Sequence, residues 1–366
     1  MEKVKKMPSL AFASLFRRNK GQNAVKEKRQ RSHQINMLEG PLGKKILLFT
    51  LPLAGCSILQ QLFNSTDVAV VGRFSSSQAL AAVGGSASQI SNLIVGFFVG
   101  LSSGAAVVIS QFYGAKDKKN VSKALHTAFA FSIAAGIFLT VAGIFLTRPA
   151  LLLMKTPADV VEDSVIYLHI YFGGMVFNLV YNMGAAILRA VGDSKRPLYV
   201  LMVTCGLNIV LDIVLVVVCR LGVMGVALAT VSCQGISSAL VTVLLMKENP
   251  LFQLKLREIR FYGVSLKSVL RIGIPAALEA TMYTIANLII QVFVNELGTD
   301  TVAAWGTFAK IDAVYWMVVN AFGISITTFV AQNYGAGKVK RMRKSVGVCL
   351  TMAYVGAILV SATLYI

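Results

Sequence analysis

Acidic side chains are scarce in this sequence: 16 Asp and Glu stand against 35 Lys and Arg in 366 residues, and charged residues of both signs make up only 14%. A soluble globular chain carries about a quarter of its residues as charges, so that class is excluded. Histidine occurs three times, at His33, His126 and His169, too scattered to be assigned any chemistry. The five cysteines, Cys56, Cys205, Cys219, Cys233 and Cys349, fall in apolar runs without metal-ligand spacing and read as small core residues. HExxH and Walker motifs are also absent, which leaves no metalloprotease or nucleotide-binding signature and no cofactor motif.

What is abundant is apolar: 56% of residues are hydrophobic, with mean hydropathy +0.70. Runs of about 20 apolar residues are long enough to cross a bilayer as helices. Nine are expected, over 44–71, 79–112, 124–147, 164–188, 197–219, 222–246, 267–294, 301–333 and 345–366. The chain is therefore read as an all-α polytopic membrane protein. If the connections alternate between two sides, 30 of the 35 Lys and Arg fall on one side. The other side holds Arg73, Arg148, Lys155 and Arg220, with Lys310 inside a helix. The positive-inside rule then places the N-terminus in the cytoplasm. The same distribution argues against nucleic acid, because the charges sit in separate loops and form no single patch.

Three pairs of segments repeat in register. LPLAG at Leu51 matches IPAAL at Ile274, LAAVGG at Leu80 matches VAAWGT at Val302, and SQFYGAKDKKNVSKAL at Ser110 matches AQNYGAGKVKRMRKSV at Ala331. The offsets are 223, 222 and 221 residues, a constancy that marks an internal repeat. Six helices separate the copies, so the repeats are parallel and face a shared cavity. The expected organisation is a basic cytoplasmic extension over 1–39, a six-helix first lobe over 40–247, a cytoplasmic linker over 248–266 and a three-helix second lobe over 267–366. Met37 is a second candidate for the start of the folded part. A complete second copy would end near residue ~470, so about nine helices of an expected twelve are present and the chain is expected to be C-terminally truncated.

The first span carries Ser57, Gln60, Asn64 and Asp67 at i, i+3, i+7 and i+10, one polar face on an apolar helix. An acid inside a membrane span is costly and is a functional candidate by default. Thr204, Asn208 and Asp212 share a face of the fifth span, and Thr230 and Gln234 one of the sixth. Counting along each helix puts Asp67, Asp212 and Thr230 at a similar depth, roughly 10 Å below the outer surface. Two acids, an amide and a hydroxyl at one level suit a proton or Na⁺. A buried pair held for packing is the alternative.

Together NSTDVAVVGRFSSSQALAAVGG, QFYGAKD, ILRAVGDSKRP, LNIVLDIVL, GVALATV and GISITTFVAQNYGAGK resemble the multidrug and toxic compound extrusion (MATE) family, most closely its DNA-damage-inducible branch in bacteria. The resemblance spans residues 38–366. It implies a multi-pass protein of the bacterial cytoplasmic membrane, a cation-coupled antiporter whose two lobes form a V-shaped cavity. Small organic, cationic substrates would be exported, with H⁺ or Na⁺ as coupling ion. The family's ion-coupling residues correspond to Asp67, Asn208, Asp212 and Thr230, where a Na⁺ could be held. The second copy places Ile290 where Asp67 stands, so coupling is expected in the first lobe only.

Gln60, Asn64, Asn178, Tyr181, Asn182, Gln234, Glu279, Lys310 and Trp316 are candidates for the substrate cavity, although helix packing accounts for several of them. Glu279 reads equally as a functional acid or as a charge near the cytoplasmic interface, and Lys310 and Asp312 as partners of other helices. Rival readings are a lipid-linked oligosaccharide flippase of the same superfamily, disfavoured by the single cavity lysine, and a non-transporting membrane remnant. An intramembrane aspartyl protease is excluded by the lack of GxGD.

Overall fold

The computed structural model describes residues 34–154, 156–248, 252–296 and 299–365. Residues 1–33 of the basic extension, Lys155, residues 249–251 of the linker and the side chains of Glu296, Asp300 and Lys310 lie outside the described residues. The others form an all-helical array: α1 (Leu42–Phe74), α2 (Ser77–Gly84), α3 (Ser86–Gly114), α4 (Lys118–Leu153), α5 (Ala158–Gly173), α6 (Met175–Ala190), α7 (Lys195–Asp212), α8 (Gly222–Met246), α9 (Gly263–Glu296), α10 (Thr299–Gly335) and α11 (Val339–Tyr365). Eight stretches of these, with α2 and α3 as one, are long and apolar enough to span a membrane, and α5 with α6 makes a ninth as a bent pair. Large apolar side chains point outward, among them Phe145 at 74% and Met282 at 69% exposure. A soluble monomer seldom shows apolar surface on this scale, whereas lipid accommodates it.

Local chemistry sets the breaks. Ser76 caps α2 by accepting from Ala79 N, and Asp117 caps α4 by accepting from Asn120 N at 3.1 Å. Asn120 bonds from its backbone and side chain hold the Asp117 carboxyl below its usual range. The fourth span, expected as one run over 164–188, bends by 50° at Gly174. A Cβ at Gly174 would press on the Val231 side chain at 2.6 Å, so the missing side chain lets α8 approach the break closely. The cysteines depart from expectation once: four are buried, but Cys219 is exposed. It caps the last turn of the fifth span, where the chain reverses through Arg220 at φ 56°.

The repeats meet along a seam of small residues. A Cβ on Gly100 would lie 2.5 Å from Ala277 Cα, and one on Gly104 would collide with the backbone of Gly273. Such positions let membrane helices touch backbone to backbone. The repeat offsets carry Gly104 to Ser325 and Gly273 to Thr50, and there the contact is a hydrogen bond of 2.7 Å between the two hydroxyls. Where α3 and α10 cross, the symmetry is reciprocal. A Cβ on Gly114 would overlap the Gln332 carbonyl, and one on Gly335, its repeat equivalent, the Gln111 carbonyl.

Gly335→Ala is therefore expected to lower the melting midpoint of the detergent-solubilised protein, with an overpacking cost of about 1–3 kcal/mol. Gly84→Ala, where nothing lies within 4 Å of the new Cβ, is expected to leave the midpoint unchanged or raise it. Equal melting of the two variants would refute the close-contact account.

Candidate functional site

Four of the residues singled out above come together among α1, α7 and α8. Asp67, Asn208, Asp212 and Thr230 are all buried, the second and third without any exposed surface. Thr230 Oγ1 donates to Asp67 Oδ2 at 3.0 Å. The Asp212 and Asn208 side chains lie against the same carboxyl. Five polar atoms here have no hydrogen-bond partner: Asp67 Oδ1, both carboxyl oxygens of Asp212, and the amide oxygen and nitrogen of Asn208. Buried polar atoms are nearly always paired, so this cluster is unsatisfied as it stands. Two adjacent buried carboxylates also repel, and their burial is tolerable only with a cation between or on them. Four oxygens and no nitrogen or sulfur ligand suit a hard cation or a proton. No group of three or more His, Cys, Asp or Glu gathers among the described residues.

The backbone helps to make this arrangement. At Asp212 α7 passes directly into a π-helical stretch, Ile213–Val218, with Cys219 N–H donating to Val214 O at 2.9 Å. Single π turns recur at functional positions because they re-aim neighbouring side chains. Two turns before Asp212, Thr204, an α7 residue on the Asn208 face, accepts from Ser237 Oγ of α8 at 3.0 Å and ties the two helices together.

Asp67 and Thr230 lie on the wall of a cavity of about 670 Å³ inside the first repeat. Gln60, Asn64, Asn178, Tyr181, Asn182 and Gln234 line it as expected from the sequence, and Asn182 Nδ2 donates to Asn178 Oδ1 at 2.9 Å. Glu279 and Trp316 lie elsewhere, and the Lys310 side chain is outside the described residues. Glu279 is exposed on α9 and Trp316 on α10, where Trp316 packs edge-on against Tyr283 at 5.1 Å. Asp312, expected to pair with another helix, makes no ion pair among the described residues; it is on the Trp316 side of α10, one turn away.

Sequence reading missed two parts of the wall. Tyr167 and Tyr171 stack at 6.0 Å with rings 16° apart, and Ser88, Ser91 and Asn92 add polar groups from α3. Both sets follow helical spacing, i and i+4 or i, i+3 and i+4, so the signal was present.

Thr230→Val keeps the side-chain shape but leaves Asp67 Oδ2 unpaired. It is expected to cost about 1–3 kcal/mol in thermal unfolding, with Thr230→Ser recovering most of the loss. Equal stability of all three proteins would show that the hydroxyl does not support the carboxylate.

Comparison with known proteins matches the family model described as MatE over residues 52–214 and 275–366. "Probable multidrug resistance protein YoeA" of Bacillus subtilis is 30% identical over 325 residues, covering 87% of this chain and 70% of the relative. "Probable multidrug resistance protein YpnP" of the same organism is 29% identical, covering 83% and 68%. Among solved structures, an outward-facing multidrug resistance MATE family transporter of the MOP superfamily superposes with a TM-score of 0.84 at 23% identity, covering 90% of this chain and 73% of that one.

Proposed function

The chain belongs to the MatE family, bacterial multi-pass multidrug transporters and not enzymes, and on that premise we propose that it is a cation-coupled antiporter for small organic compounds. The observation that carries the coupling is the cluster of five unpartnered buried atoms around Asp67 and Asp212 on the wall of a polar cavity. Asp67, Asn208, Asp212 and Thr230 hold the coupling ion, H⁺ or Na⁺. The N-terminus and the basic loops face the cytoplasm.

In the outward-facing state the ion reaches Asp67 from the cavity. Its charge offsets one negative charge of the acid pair, and an organic cation nearby is held less tightly and departs. Reciprocity of binding free energies makes the converse true: a substrate cation taken up from the cytoplasm favours release of the ion. The repeats then rock about the seam, and only the ion or the substrate makes each crossing. Glu279 and Trp316 belong to the substrate path on the second repeat, where an aromatic ring and an acid can attract a cation.

Asp67→Asn is expected to bring ethidium efflux from drug-sensitive cells to background while the protein reaches the membrane in normal amount. Proteoliposomes with either a pH gradient or a Na⁺ gradient identify the ion, since only one gradient should drive export by the original chain. Efflux retained by the variant, or export that neither gradient drives, overturns the coupling assignment.

A further inference from the structure

Ahead of α1, residues 34–41 run across the seam as a strap at the end of the molecule that carries the basic loops. Toward the first repeat, Ile35 N–H donates to Gly192 O at 2.9 Å and the Tyr113 hydroxyl to Gln34 Oε1 at 3.4 Å. Toward the second, Asn333 Nδ2 and Arg341 Nε donate to Met37 O at 3.3 and 3.1 Å, Lys338 Nζ to Leu38 O at 3.0 Å, and Arg341 Nη2 to Glu39 O at 3.0 Å. Met37 itself is fully buried in a cluster with Phe49 and Phe329. The strap turns into α1 at Gly40, whose φ of 77° suits glycine, and Lys45 Nζ closes it by donating to Asn36 O and Glu39 O.

The segment ahead of α9 does the same in reverse. Lys255 N–H donates to His126 Nε2 at 3.0 Å, and Tyr262 N–H to Thr127 Oγ1 at 3.1 Å. Because His126 Nε2 accepts, its proton sits on Nδ1, which donates to Ser122 O at 2.7 Å. Lys123 and Arg260 flank the Tyr262 ring at 5.7 and 4.7 Å. The 221-residue offset makes α4 and α11 repeat equivalents. Each repeat's lead-in segment is thus pinned to the third span of the other repeat.

We propose that these two lead-in segments form a paired latch that holds the basic end of the seam shut, and that the strap must leave Asn333, Lys338 and Arg341 before that end can open. This rests on the alternating-access reading above, which requires the end to open at all. The argument is geometric. Gly192 and Tyr113 belong to one repeat and the three strap-binding side chains to the other, so a strap held by both sets forbids their separation. Its acceptors toward the second repeat are backbone carbonyls and two of its donors there are cations, which makes these contacts stronger than neutral hydrogen bonds.

The test uses the full chain with its five native cysteines replaced. Ser325, which has no exposed surface and bonds Thr50 across the seam, is replaced by Ser325→Cys, and labelling is followed with a membrane-impermeant maleimide added on the basic side. Lys338→Ala with Arg341→Ala is expected to speed labelling about tenfold. Separately, Leu38→Cys and Lys338→Cys joined by a reducible bifunctional maleimide should stop ethidium export in proteoliposomes, and reduction should restore it. Unchanged labelling in the double alanine variant, or export that continues with the crosslink in place, overturns the latch. If the unlinked chain exports nothing while labelling still accelerates, the latch stands and the export reading falls.

Discussion

Two carboxyl groups held side by side away from water set the terms for the rest of this structure. Removing even one ion from water costs several kcal/mol after relaxation, and a second of like sign adds repulsion to that cost. A fold tolerates Asp67 beside Asp212 only if something cationic joins them or protons neutralise them. Thr230 satisfies one oxygen, and Asn208 brings an amide with no competing partner. The surrounding helices leave the remaining oxygens buried and without a hydrogen-bond partner. The arrangement conserves capacity to bind, where a purely structural network would have spent its donors and acceptors internally.

The elements around the pair read as consequences of that requirement. α7 changes from α to π geometry at Asp212 itself, α8 is drawn close to the α5–α6 break by Gly174, and the hydroxyl pair of Thr204 and Ser237 joins α7 to α8 two turns below. The cavity wall beside the acids is made of amides and hydroxyls, with the stacked Tyr167 and Tyr171 as its aromatic part. Such a wall can hydrate an ion on its way to Asp67 without offering it a second charged resting place.

The acid pair was legible from sequence because helical geometry is rigid. A residue count gives a depth, a spacing of three or four gives a face, and Asp67, Asp212 and Thr230 agreed in both. The repeat was legible for a similar reason, since its register is an arithmetic property. Other features depended on tertiary contacts. The bend at Gly174 needs Val231 of another helix to explain it, and the exposure of Cys219 follows from where a turn falls at the end of a span. His126 carried no sequence signal of its own, because its role is set by a backbone N–H 129 residues away. The strap is short, and nothing in its composition separates it from a solvated tail; it is held toward the second repeat through its own backbone carbonyls, which every residue carries and a sequence does not distinguish.

The two repeats are alike where they touch and unlike where chemistry is proposed. Gly114 and Gly335 exchange the same contact with Gln332 and Gln111, and the lead-in segments cross in both directions. At the position of Asp67 the second repeat has Ile290, which is exposed and apolar. Even the seam carries the difference in a small way, with Gly104 against Gly273 on one flank and Ser325 against Thr50 on the other. A glycine contact is held by close packing alone, whereas a buried hydroxyl pair must also break a hydrogen bond to move. The α1–α10 flank therefore carries a directional tie where its repeat equivalent on the α3–α9 flank has backbone packing alone. α1 also carries Asp67, so the helix that would sense the cation is the helix that this hydrogen bond ties to the second repeat.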